Sequence, residues 1–133
     1  MTESADRGPV CEASDRIWDQ PETAFQEFHS TDVLCELLEK EGFRVERNLA
    51  GIATAFSGTY GSGKPVVGIL GEFDALSGLS QEPESLEKTA LVDGAPGHGC
   101  GHNLLGTGSV AAAIAVKEYL EKNGKEGTVI FFG

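Results

Sequence analysis

Apolar side chains recur at helical spacing after residue 30. Val33, Leu34, Leu37 and Leu38 would share one face of a helix, while the positions between them are mostly polar. The polar run 30–32 offers side chains that can cap a helix N-terminus, and Gly42 stands where a left-handed stop belongs. The pattern predicts an amphipathic helix between these two signals.

The segment before this helix has a weaker pattern. Ile17, Trp18, Phe25 and Phe28 would line one side of helical segments that are interrupted at Pro21. Residues 12–28 therefore predict a helix, a turn and a second helix. We expect the three aromatic rings to pack in the core, and residues 1–16 to be a leader or the start of the first helix.

The next segments are typical of strands. Apolar residues alternate with polar ones over 43–49, and a second extended run covers 52–60 before the glycine-rich turn 61–63. Residues 66–70 are continuously apolar, which predicts a strand covered on both faces.

The second half predicts a loop, a helix and a strand. Residues 77–96 lack periodicity and contain two prolines, as expected of a long loop kept for a function. Residues 104–120 are rich in alanine and predict a buried helix ending at Asn123-Gly124, followed by a buried strand over 128–132. Helices that alternate with apolar strands indicate an α/β fold.

Composition narrows the classes of function. The chain has 133 residues, which is one domain or part of one, and a net charge of −11. Scattered basic residues argue against nucleic acid or an anionic membrane as a partner, since phosphate binding needs clustered positive charge. Three widely spaced cysteines are no disulfide framework, and no apolar run would cross a bilayer, so we expect a cytoplasmic protein.

Two carboxylates follow the apolar strand. Glu72 and Asp74 are two positions apart, so on an extended backbone both side chains point to one side. Ligands of α/β sheets bind at the carboxyl ends of strands, and two close carboxylates repel unless a proton, a cation or a basic group lies between them. The pair is a candidate cation site; capping a neighbouring helix or simple solvation is the alternative.

A second candidate lies in the tract 97–103, where glycine alternates with histidine and cysteine. Cys100 and His102 can turn toward one point, and a thiolate with an imidazole suits zinc and neighbouring first-row metals. The flanking glycines would let the backbone wrap closely around an ion. Taken singly, each residue is more often buried filler or a hydrogen-bonded histidine; the tract as a whole favours metal.

Other candidates are weaker. Cys35 lies on the apolar helix face and is expected in the core, Cys11 lies in a poorly patterned region, and His29 stands next to a predicted helix cap. Residues 58–64 look like a phosphate loop, but a strand rather than a helix follows them, so we reject that interpretation.

Three blocks of the sequence resemble a known enzyme family. They are residues 18–27, with Trp-Asp-Gln-Pro-Glu; residues 71–76, Gly-Glu-Phe-Asp-Ala-Leu; and residues 97–106, Gly-His-Gly-Cys-Gly-His-Asn-Leu-Leu-Gly. They are similar to the signature blocks of the co-catalytic metallopeptidases and amidohydrolases, which include aminoacylases, hippurate hydrolase and auxin-conjugate hydrolases. The resemblance covers nearly the whole chain from Ile17 onward.

The resemblance implies a site. Cys100 and His102 would be ligands of a centre of two divalent metal ions, manganese or zinc, with the thiolate able to bridge. Asp74 would be the catalytic aspartate, which supports a metal ligand or the active centre without itself being a direct ligand. Glu72 stands where distant branches have a histidine ligand, and Asn103 replaces an aspartate common in the hippurate-hydrolase branch.

The resemblance also implies a fold. Residues 17–133 would be the incomplete amino-terminal part of a zinc-peptidase-like α/β catalytic domain, a mixed sheet flanked by helices, without the lid and dimerisation domain. In the family, the strand that corresponds to residues 128–132 runs directly into a Pro-x-Glu-Glu segment, whose first glutamate is the general base. This chain stops at Gly133, so we expect it to be inactive alone.

The implied activity belongs to the full-length parent. It is metal-dependent hydrolysis of the amide bond of an N-acyl or N-aroyl amino acid, with a substrate of the p-aminobenzoyl-glutamate type favoured. The parent would be a homodimer or a hetero-oligomer with a paralogous subunit. The alternative is a non-catalytic metal- or thiol-responsive binding module, or a truncated relic. A Glu-Glu pair and further histidines encoded beyond Gly133 would favour the enzyme, and a stop there would favour the alternative.

Overall fold

The computed structural model describes residues 8–133, so the first part of the predicted leader, residues 1–7, lies outside the described residues. The helices are α1 (Pro9–Asp19), α2 (Phe28–Lys40) and α3 (His102–Asn123), and the strands are β1 (Arg44–Arg47), β2 (Phe56–Ser62), β3 (Val66–Leu70) and β4 (Gly127–Phe132). The alternation of helix and strand predicted from the sequence is confirmed.

The helix–turn–helix predicted over 12–28 is wrong in its second half. Residues after α1 stay non-helical up to Phe28, because Pro21 has no N–H to donate and Thr23 forms a β-bridge with Ala75. The two phenyl rings at the end of this segment are also not in the core: Phe25 and Phe28 are exposed by 66% and 52%.

The start of α2 differs from the prediction as well. The helix begins at Phe28, and its first turn is capped by Glu22 rather than by a residue of 30–32. The Glu22 carboxylate accepts hydrogen bonds from the backbone N–H groups of His29 and Ser30 at 2.9 and 2.8 Å. The negative charge of Glu22 also interacts favourably with the positive end of the helix dipole. The predicted stop is confirmed, since Gly42 has a φ of +84°.

The strands form a mixed sheet in the order β1-β2-β4-β3. β1 and β4 each pair antiparallel with β2, whereas β3 pairs parallel with β4. A parallel pair needs a long crossover, and the loop after β3 together with α3 supplies it. The mixed sheet with flanking helices is the predicted fold.

The core lies between the helices and one face of the sheet. Its largest fully buried side chains come from every layer: Phe56, Phe131, Ile17, Leu34, Leu38, Val33, Val110 and Val129. Cys35 is buried among them, as predicted, and burial raises its pKa from 9.0 to about 12. The Cys35 side chain is therefore part of the hydrophobic core.

The prediction that residues 66–70 are covered on both faces is wrong. Val66, Val67 and Leu70 are exposed by 56%, 43% and 69%. β3 is an edge strand of the sheet, and only Ile69 packs against the core. An apolar run indicates that the side chains of a strand favour apolar neighbours. In the described residues, these side chains of β3 are instead exposed at the edge of the sheet.

The long loop predicted over 77–96 is confirmed, as is the end of α3 at Gly124, whose φ is +57°. The helix itself is half-buried rather than buried, because Leu104 and Leu105 face solvent while Val110 and Ala113 face the core. Within residues 8–133, no helix is long and apolar enough to span a membrane.

Candidate metal centre

The candidate site forms where β3 ends and α3 begins. Glu72 and Asp74 follow β3 directly, and His102 is the first residue of α3. The β3–β4–α3 packing places the start of the helix above the end of the strand. The residue patterns alone indicated two separate candidate pairs, and the family resemblance implied that Asp74, Cys100 and His102 belong to one centre. The structure brings His102 of the second pair together with both members of the first.

Three side chains converge here. One ligand atom from each of Glu72, Asp74 and His102 lies within 4.8 Å of the others. His102 Nδ1 is 2.7 Å from an Asp74 carboxylate oxygen, and His102 Nε2 is 3.5 Å from a Glu72 carboxylate oxygen. His102 and Asp74 are partly buried, whereas Glu72 is exposed.

The hydrogen bond between Asp74 and His102 determines which nitrogen of the imidazole ring faces Glu72. A carboxylate only accepts, so Nδ1 carries the proton that is donated to Asp74. With the proton on Nδ1, Nε2 can present a lone pair toward the Glu72 carboxylate oxygen 3.5 Å away, and a cation could be held between these two atoms. One imidazole nitrogen and carboxylate oxygens are a donor set that divalent zinc and manganese accept, so the residues present fit a metal ion.

A close approach of backbones makes this geometry possible. A Cβ atom on Gly106 would lie 2.9 Å from Phe73 Cβ and 3.0 Å from the Glu72 carbonyl oxygen. Only glycine lets the first turns of α3 settle this near the segment that carries the carboxylates. Gly106 is therefore needed for close packing of α3 against this segment.

Cys100 lies on the same loop, two residues before His102, and its thiol is exposed. Within the part of the chain that the structure describes, it is not a member of the group of converging donor atoms. Its role as a metal ligand stays a prediction, as does the catalytic role of Asp74.

His98 anchors the loop that carries Cys100. Its side chain is 4% exposed, and Nε2 donates a hydrogen bond to the Ile17 carbonyl in α1 at 3.1 Å. Burial lowers the pKa of His98, so the ring is neutral at pH 7. The preceding Gly97 has no room for a side chain, since its Cβ would fall 1.9 Å from the Leu79 carbonyl oxygen.

Sequence reasoning missed the structural parts of this site. Glu22 caps α2, and its carbonyl oxygen accepts the N–H of Ala75 at 2.7 Å, which ties the start of α2 to the segment after Asp74. The one available signal was its place in the Trp-Asp-Gln-Pro-Glu block. Nothing in the pattern distinguished His98 or Gly106 from the neighbouring histidines and glycines.

Sequence comparison places relatives among amide-bond hydrolases. The chain is 53% identical over 129 residues to one subunit of the p-aminobenzoyl-glutamate hydrolase of Escherichia coli, and the match covers 97% of this chain and 27% of the relative. It is 31% identical over 119 residues to human Xaa-Arg dipeptidase, where the match covers 79% of this chain and 23% of the relative. The chain thus spans about a quarter of the length of these relatives. No family model matches it.

Solved structures agree on the fold. A dinuclear metal binding peptidase of the M20 family from Bacillus subtilis superposes with a TM-score of 0.70 at 26% identity, covering 96% of this chain and 35% of that one. Aminoacylhistidine dipeptidase from Vibrio alginolyticus has a TM-score of 0.54 at 15% identity, covering 97% and 28%, and shows the fold alone.

Proposed function

We propose that this chain, a relative of the M20 dinuclear metallopeptidases, forms part of an enzyme that hydrolyses the amide bond of an N-acyl or N-aroyl amino acid. The observation that carries the proposal is the convergence of Glu72, Asp74 and His102 within 4.8 Å at the carboxyl end of a strand. Ligand sites of α/β sheets form at that edge.

Each residue has a proposed task. Asp74 accepts a hydrogen bond from the Nδ1–H group of His102 and thereby holds the ring in one orientation with Nε2 free to bind metal. Glu72 faces that nitrogen with a carboxylate, and Cys100 adds a thiolate from the neighbouring loop. A bound divalent ion supplies a Lewis acid and a water molecule of lowered pKa, which amide hydrolysis needs near neutral pH.

The substrate class follows from the relatives. One is named for hydrolysing p-aminobenzoyl-glutamate and the other for cleaving dipeptides, and both names denote an amide bond to an amino acid. At 53% identity, the former is the better guide, so p-aminobenzoyl-glutamate is the favoured substrate. The centre would hold two ions, manganese or zinc, and the enzyme would work as a homodimer or with a paralogous subunit.

The test is p-aminobenzoate release from p-aminobenzoyl-glutamate by the protein that carries this chain. We expect release with Mn²⁺ or Zn²⁺, none after treatment with EDTA, and recovery when metal is returned. His102→Ala should abolish release, while His29→Ala, which removes a histidine outside the converging group, should retain it. Undiminished release in EDTA, or from His102→Ala, would overturn the proposal.

A further inference from the structure

Phe25 has a conformation that its own chemistry disfavours. Its φ is +65°, in the left-handed region where bulky residues are rare, and its side chain is 66% exposed. Strained positions of this kind persist only where surrounding contacts hold them, and they cluster at functional sites. A solvent-facing phenyl ring held under backbone strain therefore needs an explanation.

Neighbouring groups fix this backbone. The Phe25 N–H donates to the buried carboxylate of Glu27 at 2.9 Å, and the Gln26 N–H donates to the Thr23 carbonyl at 2.9 Å. Thr23 in turn bridges to Ala75, the residue after Asp74. The strained turn is thus fastened to the segment that carries the candidate metal ligands.

The Phe25 ring lines a cavity of about 360 Å³ beside those ligands. Ile52 and Leu70 supply further apolar wall, both exposed by more than a third of their surface at 41% and 69%. Glu72 and Asp74 line the same cavity. The volume is in the range of small-molecule sites, about 300–1,000 Å³.

The lining of the cavity suits one half of a substrate better than the other. The charged side chains among its described lining residues are the carboxylates of Glu27, Glu72 and Asp74. Bound metal would offset the charges of Glu72 and Asp74, so the like charge that an anionic amino acid half would meet on the cavity wall is the Glu27 carboxylate. A neutral aromatic acyl group would meet an apolar wall and an aromatic ring, with its amide directed toward the carboxylates.

We infer that Phe25 is a specificity-determining residue whose ring receives the neutral aromatic acyl half of the substrate, in the cavity it forms with Ile52 and Leu70. This inference rests on the proposed function, which places the scissile amide at Glu72, Asp74 and His102. It adds the location of the acyl group and the residue that selects an aromatic one.

The test uses neutral amides as probes of each half. Benzamide, acetamide and free glutamate are titrated into the ¹⁵N-labelled chain, metal-free and with Zn²⁺, and backbone amide shifts are followed by NMR. Benzamide should shift Ile52, Thr54 and Leu70 saturably, acetamide should bind about tenfold more weakly, and glutamate should leave these signals unmoved.

Variants assign the effect to the ring. Phe25→Ala should weaken benzamide binding about tenfold, and so should Phe25→Gly, which relieves the left-handed backbone and guards against a folding defect. Phe28→Ala removes a similarly exposed phenyl ring outside the cavity and should change nothing.

The outcomes separate this inference from the proposed function. Unchanged benzamide binding in Phe25→Ala, or glutamate occupying the cavity, would refute the role of Phe25. Zinc content is measured in the same samples: a chain that binds benzamide through Phe25 yet takes up no zinc would count against the metal centre and leave the acyl pocket standing.

Discussion

At the scale of single residues, the site depends on one hydrogen bond. Asp74 and His102 are 28 positions apart and meet at 2.7 Å. The spacing of Glu72 and Asp74 predicted that their carboxylates share a side, and the glycine-rich tract predicted a metal-binding histidine. Neither pattern predicted that the histidine belongs with the carboxylates, because that pairing depends on where α3 crosses β3.

Replacing Asp74 by asparagine tests this bond. An amide oxygen is a weaker acceptor for the Nδ1–H hydrogen bond than a carboxylate, and the amide NH₂ group favours the other tautomer of the ring, so we expect zinc affinity to fall about 10–100-fold. The measurement is isothermal titration with Zn²⁺. Asp93→Asn, which removes a carboxylate from the exposed loop, is the control. It should bind zinc like the unsubstituted chain, which is the parent chain of all the variants below. Equal affinities in the two variants would contradict the role given to Asp74.

Cys35 provides a prediction on stability and pH. Its pKa rises from 9.0 to about 12 on burial, so the folded state retains a proton that the unfolded state releases. Its contribution to folding is complete below pH 9 and disappears as pH rises toward 12.

Urea unfolding of the parent chain and of Cys35→Ala, with a reductant present, measures this contribution. The difference in unfolding free energy between them should be constant from pH 7 to 8.5. Above pH 9 the parent chain should lose stability relative to the variant, by up to about 1.4 kcal/mol per pH unit. A difference that stays constant to pH 11 would show that the Cys35 thiol is not buried as described.

At the scale of elements, α3 is the part that assembles the centre. It carries His102 at its first position and settles on the segment 72–73 through Gly106. The sequence predicted the helix and its end from alanine content and Asn123-Gly124. The sequence could not predict how closely the helix approaches its neighbours, because it does not show whether the position of a missing Cβ atom lies against another residue or in open space.

Two glycines of α3 make a matched pair of substitutions. Gly106→Ala puts a methyl group 2.9 Å from Phe73 Cβ and should destabilise the fold by about 1–3 kcal/mol while lowering zinc affinity. Gly108→Ala meets nothing within 4 Å and should stabilise the helix by about 0.5–1 kcal/mol with zinc affinity unchanged. Urea unfolding and zinc titration report both effects. Similar behaviour of the two variants would contradict the close approach at Gly106.

The same limit explains the errors at β3 and before α2. The apolar run at residues 66–70 correctly predicted a strand but not its place at the sheet edge, because periodicity describes the strand and not its neighbours. Phe25 and Phe28 fit a helical stripe, yet the bridge between Thr23 and Ala75 takes precedence over that local preference. The place of the strand in the sheet decides the outcome at β3, and a contact distant in sequence decides it before α2.

At the scale of the whole molecule, the features with chemistry gather at one edge of the sheet. The carboxyl end of β3 leads to Glu72 and Asp74, and the end of β4 at Phe132 lies alongside it in parallel register with Leu70. Among the described acidic residues, Glu72 and Asp74 converge with His102 at this edge. The net charge of −11 adds an electrostatic preference for cations over anions across the surface.

The most direct test of the metal centre is elemental analysis of the purified chain after loading with Zn²⁺ or Mn²⁺ and removal of excess metal. We predict bound metal in the parent chain, its loss in His102→Ala and in Cys100→Ala, and its retention in the matched variants His29→Ala and Cys11→Ala. Metal retained by both His102→Ala and Cys100→Ala, at the stoichiometry of the parent chain, would contradict the assignment of the site.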